Sequence, residues 1–131
     1  MSRRTRRVGG HWIRTHKRHA IYHRDLDTCT WCGFEVFAGS ATLDHLGLTE
    51  PEGVDELTGP NASHNLVTSC HECNSRRRDI PLLEWLTILA KEGRDAGAVL
   101  IRLERRHIPL DMTAGRHHFI RQEEGGWRMP F

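Results

Sequence analysis

Cys29 and Cys32, then Cys70 and Cys73, form two Cys-x-x-Cys pairs, and the chain contains no other cysteine. Thiolates in such pairs are the ligands a tetrahedral zinc ion takes, and two pairs make a complete set of four. The N-terminus is charged, with no apolar stretch behind it that would mark a secreted chain. Disulfides are therefore disfavoured, and structural Zn²⁺ is the expected occupant. The alternative is two reduced, buried thiol pairs. The 37 residues between the pairs exceed the spacing of a simple zinc ribbon, so a sizeable insert separates the two halves of the site.

That insert carries a second, harder set of groups. Asp44 and His45 are adjacent, Asn65 lies near the end of a long polar stretch, and Asn74 follows Cys73 directly. A carboxylate and an amide oxygen suit a hard divalent ion such as Mg²⁺ or Mn²⁺, which keeps several waters. A neutral imidazole beside them is able to take a proton near neutral pH. Neighbouring strand residues point to opposite faces, so Asp44 and His45 converge only at a twisted strand end. His71, one helical turn before Asn74, is a further candidate ligand or phosphate contact.

The elements that must position these groups are legible in outline. Residues 12–24 read as a basic helix. The stretch 27–37 reads as a knuckle followed by a short strand, 39–46 as a second strand, and 66–70 as a third. Between them, residues 47–65 are rich in Gly, Pro and acids and read as a long loop. A helix is expected from about His71, with Ser69 as N-cap and Glu72 completing a capping box. "PLLEWLTILAKEG" is amphipathic, with Leu82, Trp85, Leu86 and Leu89 as its apolar stripe, Pro81 in its first turn and Gly93 near its end. "DAGAVLIRLERRH" predicts another helix, and the remainder reads as irregular. On an α-helix Cys70 and Cys73 share a face, and Asn74 lies about 100° further round. One helix is thereby able to serve zinc on one side and another chemistry on the next. Trp31 and Trp85 read as packing residues, and His117-His118 as a surface pair.

The segments "YHRDLDTCTWCG" at 22–33, "LDH" at 43–45 and "NLVTSCHECNSRR" at 65–77 together resemble the HNH endonuclease family. The resemblance covers roughly residues 16–85, about half of the chain. It implies an α+β fold with a ββα-metal (His-Me finger) core, a four-Cys structural zinc site and flanking helices. The implied organisation is a flexible basic tail at 1–10, a nuclease core at 11–93, and a C-terminal helix and irregular extension at 94–131 packed on that core. His45 falls at the family's general base, Asp44 and Asn74 at the catalytic metal, and Asn65 at the middle asparagine that stiffens the loop and helps hold the base. Asn74 replaces the name-giving last histidine, so this is an HNN variant; Mg²⁺ or Mn²⁺ is the expected catalytic ion, with Ni²⁺ or Zn²⁺ as alternatives that an imidazole ligand would accept more readily. The implied activity is metal-dependent hydrolysis of DNA. Small relatives of this kind occur in bacteria and phages, some near packaging genes, which implies a cytoplasmic setting and phage packaging proteins as partners.

Charge distribution agrees with a polyanionic substrate. Residues 1–24 hold eight Lys or Arg and no acid, residues 25–75 hold nine Asp or Glu and no Lys or Arg, and residues 76–131 hold eleven basic and eight acidic groups. Arg18, Arg24, Arg76, Arg77 and Arg78 are the expected nucleic-acid contacts. The short chain leaves little room for a sequence-reading domain, so low sequence specificity is expected. No apolar run approaches the length of a membrane span, and the expectation is a soluble intracellular protein. The competing reading is a catalytically silent, zinc-stabilised DNA-binding module.

Overall fold

The computed structural model describes residues 13–37, 39–47 and 61–124. The basic tail and most of the acidic loop lie outside the described residues. The helix α1 spans Thr15–Arg24, strand β1 Ala41–His45, strand β2 Leu66–Cys70, α2 His71–Arg77, α3 Leu82–Lys91, α4 Ala96–Glu104 and α5 Met112–Glu124. Short 3₁₀ turns at Ser63–Asn65 and Arg105–His107 complete the described elements.

β1 and β2 form a two-stranded antiparallel sheet, with Ala41 opposite Cys70 and His45 opposite Leu66. Paired residues share a face. Asp44 with Val67 and Thr42 with Ser69 therefore face one way; Leu43 with Thr68 and His45 with Leu66 face the other. A hairpin alone is marginal in water, and packing on both faces supplies the missing stability. On the first face Val67 joins Trp31, Val36, Leu46, Trp85, Leu89, Val99 and Leu103 around Cys29 and Cys73. On the second, Leu43 and Leu66 pack with Ile13, Ile21 and Tyr22. The result is a small mixed α/β unit with a two-stranded sheet between helices.

Several local expectations change. The segment after Gly33 forms no strand; it makes an isolated bridge between Thr28 and Glu35. Ser69 does not cap α2, because it still belongs to β2 and its hydroxyl donates to the Cys70 carbonyl. Cys70 is the N-cap, and its Sγ accepts from the Cys73 N–H. Pro81 is the N-cap of α3 rather than a residue of its first turn, while Gly93 follows its end with φ +87°.

The segment expected to be irregular contains α5, which packs along α1. Polar and charged residues dominate its sequence, so periodicity gave little signal. Its contact depends on Gly115, where a Cβ would lie 2.6 Å from the His16 carbonyl oxygen and 2.7 Å from Ala20 Cβ. His118, expected on the surface, is buried there; its Nε2 pairs with Asp27 Oδ1 at 2.6 Å and its Nδ1 lies 2.8 Å from His19 Nδ1.

Arginines act as internal staples. Arg24, expected on a nucleic-acid surface, is buried; it grips both carboxylate oxygens of Asp25 and donates to the Ser63 and Leu66 carbonyls. Arg102, Arg105 and Arg106 donate to the carbonyls of Thr30, Arg24 and His64. Among the described residues, no helix is long and apolar enough to cross a membrane.

Candidate metal centre and the cavity beside it

The four sulfur atoms of Cys29, Cys32, Cys70 and Cys73 lie within 4.8 Å of one another. The backbone makes this possible. Each pair closes a tight turn in which the second cysteine's N–H points at the first cysteine's sulfur, Cys32 to Cys29 at 3.5 Å and Cys73 to Cys70 at 3.4 Å. Gly33, at φ +81°, lets the first turn close, and the Thr30 N–H bonds to the Thr68 carbonyl, tying that knuckle to β2. Zn–S bonds of about 2.3 Å in a tetrahedron put sulfurs about 3.8 Å apart. The Cys32–Cys70 separation is 4.0 Å. The set fits a metal ion such as zinc.

Its electrostatics also call for a cation. A hydrogen bond from the Cys73 thiol, against the opposing effect of burial, holds Cys29 down to about 4. The same bond, with burial, pushes Cys73 up, and burial raises Cys32 to about 11. A bound dication would favour the thiolate forms over the retained protons.

On the other side of α2 lies a cavity of about 940 Å³. Asp44, His45, Asn65, Asn74 and Arg78 line it, with Leu46, Pro81, Leu82 and Leu83 among its apolar walls. Asp44 and His45 leave β1 on opposite faces, yet both reach this space because it opens at the strand's end. The Asn74 amide nitrogen donates to Thr42 Oγ1 at 3.0 Å and to the Leu43 carbonyl at 3.3 Å. That commits the nitrogen end of the amide to β1. Asn65 is buried, and its backbone donates to the Ala62 carbonyl and accepts the Leu46 N–H.

Asp44, expected as a metal ligand, is enclosed by protein groups. It is 4% exposed, with Oδ1 paired to Arg77 Nη1 at 2.9 Å and Oδ2 accepting from Trp31 Nε1 at 2.9 Å. Burial raises its pKa, and Arg77, then the Trp31 N–H, pull against that rise. Arg77 is equally occupied: it also donates to the His45, Leu46 and Ile80 carbonyls, and its guanidinium lies over the Trp31 ring. Arg77 is therefore not a surface contact. Trp31 is a packing residue as expected, with a polar tie to Asp44 that its position between two cysteines did not disclose.

The other expected contacts divide. Arg76 is exposed but pairs with Glu92 and lies over the Trp85 ring. Arg78 is exposed, lines the cavity, and adopts φ +51°, ψ −119° at the end of α2. Arg18 donates to the Tyr22 hydroxyl. His71 is exposed and is not among the lining residues. Sequence reasoning missed Asn61, whose Oδ1 lies 2.8 Å from His45 Nε2, because it sits in a stretch that reads only as loop.

No family model, curated protein or solved structure matches this chain. Fold and site define a small mixed α/β protein with four cysteines placed to hold a metal ion such as zinc.

Proposed function

We propose that the chain is a metal-dependent endonuclease of the HNH type, hydrolysing DNA phosphodiester bonds, with a ββα-metal core braced by structural Zn²⁺. The observation that carries this reading is the lining of one cavity by Asp44, His45 and Asn74, beside α2 and next to the four thiols. A purely structural zinc module has no need of an imidazole, a carboxylate and an amide grouped around open space.

The donors suit a hard cation in kind. Each Asp44 oxygen accepts one of the two bonds described above, and an ionised carboxylate oxygen offers two acceptor positions. Asp44 and the amide oxygen of Asn74 would hold a divalent ion, Mg²⁺ or Mn²⁺, which when bound supplies charge stabilisation at the phosphate. His45 takes a proton from water, the resulting hydroxide forms the new P–O bond in line, and the bond to the 3′ oxygen breaks. The 3′ oxygen leaves with a proton from solvent, giving 5′-phosphate and 3′-hydroxyl ends. Arg78, on the cavity wall, would pair with a non-bridging phosphate oxygen. Phosphate contacts supply most of the affinity, so binding is steeply salt-dependent and weakly sequence-dependent.

One observation favours the silent DNA-binding module instead: Asp44 is already neutralised by Arg77. Supercoiled plasmid incubated with Mg²⁺ or Mn²⁺ decides between them. Nicked or linear product that is lost by about 10²–10⁴-fold in His45→Ala supports the nuclease. Salt-sensitive DNA binding without cleavage under any divalent ion supports the module.

A further inference from the structure

We infer that Asn61, itself carried by Lys17, is the residue that positions the His45 ring and selects its tautomer. The cleavage arm of the test rests on the nuclease reading above; the spectroscopic arm does not.

His45 projects from β1 toward the face that α1 covers, and α1 supplies the support. Lys17 is buried within α1, and its Nζ donates to the Asn61 backbone carbonyl. A lysine is rarely buried at 8% exposure unless its ammonium is paired. Here the ammonium holds the end of the loop segment that returns to β2. The Asn61 side chain then presents Oδ1 to His45 Nε2 at 2.8 Å. A carbonyl oxygen is an acceptor only, so the imidazole must donate and its proton sits on Nε2. The lone pair is thereby assigned to Nδ1, and the ring plane is fixed by a side chain whose own backbone is anchored. This is the support an orienting group gives a catalytic imidazole, where geometry fixed by a second residue sets how much of the rate is realised. The backbone of Asn65 holds the 3₁₀ turn and the start of the strand pairing.

Asn61→Leu removes the acceptor at similar volume, and Asn61→Asp keeps an oxygen at the same reach. Lys17→Met keeps the buried stem and removes the donor. Two readouts on the full chain separate positioning from mere folding, after thermal melts establish that each variant is folded. First, long-range ¹H–¹⁵N spectra of ¹⁵N-histidine protein, with His45 assigned by its loss in His45→Gln, report which ring nitrogen is protonated. Wild type and Asn61→Asp are expected to show the Nε2–H tautomer; Asn61→Leu is expected to show a mixture. Second, in plasmid nicking, Asn61→Leu is expected to lower kcat by about 10–10²-fold, part of the 10²–10⁴ a general base supplies, with KM unchanged. Asn61→Asp retains kcat within about threefold, and Lys17→Met moves in the same direction as Asn61→Leu by a smaller factor. An unchanged His45 tautomer in Asn61→Leu overturns the inference, and so does an unchanged kcat. If wild type cuts no substrate but the tautomer still responds to Asn61→Leu, the positioning stands and the nuclease reading falls.

Discussion

Replacing Arg77 by Met should cost about 3–5 kcal/mol at neutral pH, the range for removing one partner of a buried ion pair. The size follows from what the guanidinium leaves behind. Its side chain is 3% exposed. Asp44 keeps only the Trp31 N–H, and the His45, Leu46 and Ile80 carbonyls lose a donor. Against a typical domain stability of about 5–15 kcal/mol, this is a large fraction. Met fills the stem's volume, so the loss reports charge and hydrogen bonding more than cavity formation. The pH dependence has a definite sign. Burial already raises Asp44 in the native state, and Arg77 is the largest influence opposing it. In the variant the carboxyl is raised further above its unfolded value. A carboxyl raised on folding weakens the native state as pH climbs through its folded pKa, and the penalty is absent below its unfolded pKa of about 3.9. The deficit relative to wild type should therefore narrow as pH falls from 7 toward 4.5. Urea unfolding followed by tryptophan fluorescence, run on both proteins at matched pH, measures it. Adding Asp44→Asn to Arg77→Met should restore part of the loss, because no stranded charge remains. A deficit under about 1 kcal/mol, or one that stays constant with pH, refutes a buried, mutually dependent pair.

Four other outcomes are expected. Cys73→Ser should abolish stoichiometric zinc in metal analysis of the purified protein and collapse the thermal transition, since structural zinc binding contributes about 10–16 kcal/mol in small metal-folded units. Gly115→Ala should destabilise by about 1–3 kcal/mol in denaturant titration, because the overpacking at His16 and Ala20 outweighs the roughly 1 kcal/mol that helix propensity favours. Arg78→Gly should raise stability by about 1 kcal/mol by relieving positive φ, and on the endonuclease proposal it should weaken DNA binding in a salt titration; unchanged affinity would remove Arg78 from the proposed phosphate contacts. Burial, aided by His118, lowers His19 from 6.5 to about 4, so folding disfavours its proton. That contribution is complete above pH 6.5 and fades between about 6.5 and 4. Melting temperatures of His19→Gln should fall less steeply than wild type across that window.

What could be read from the chain was whatever repeats or pairs locally. The cysteine spacing announced four sulfurs in one place, and the Leu82–Leu89 stripe announced α3. The β1 and β2 segments and the start of α2 were also legible, since β-branched and apolar residues give way there to a capped helix. Long-range pairing was not. Asp44 read as a metal ligand, and nothing nearby in sequence reveals that Arg77 and Trp31 fold over it. Arg24 read as surface for the same reason: its partner Asp25 is adjacent, but the carbonyls that complete its cage come from Ser63 and Leu66. The helix α5 escaped notice because it buries a glycine and a histidine, neither of which registers as apolar periodicity.

The pairing of α5 with α1 joins residues 99 positions apart, His19 with His118, whereas the knuckles meet across 38, Cys32 with Cys70. During synthesis the residues of the thiol knot and of both strands precede those of α5. The seam shares no thiol with the knot, so its opening would leave the four sulfurs together, and amides of α5 should exchange with solvent ahead of those in β2.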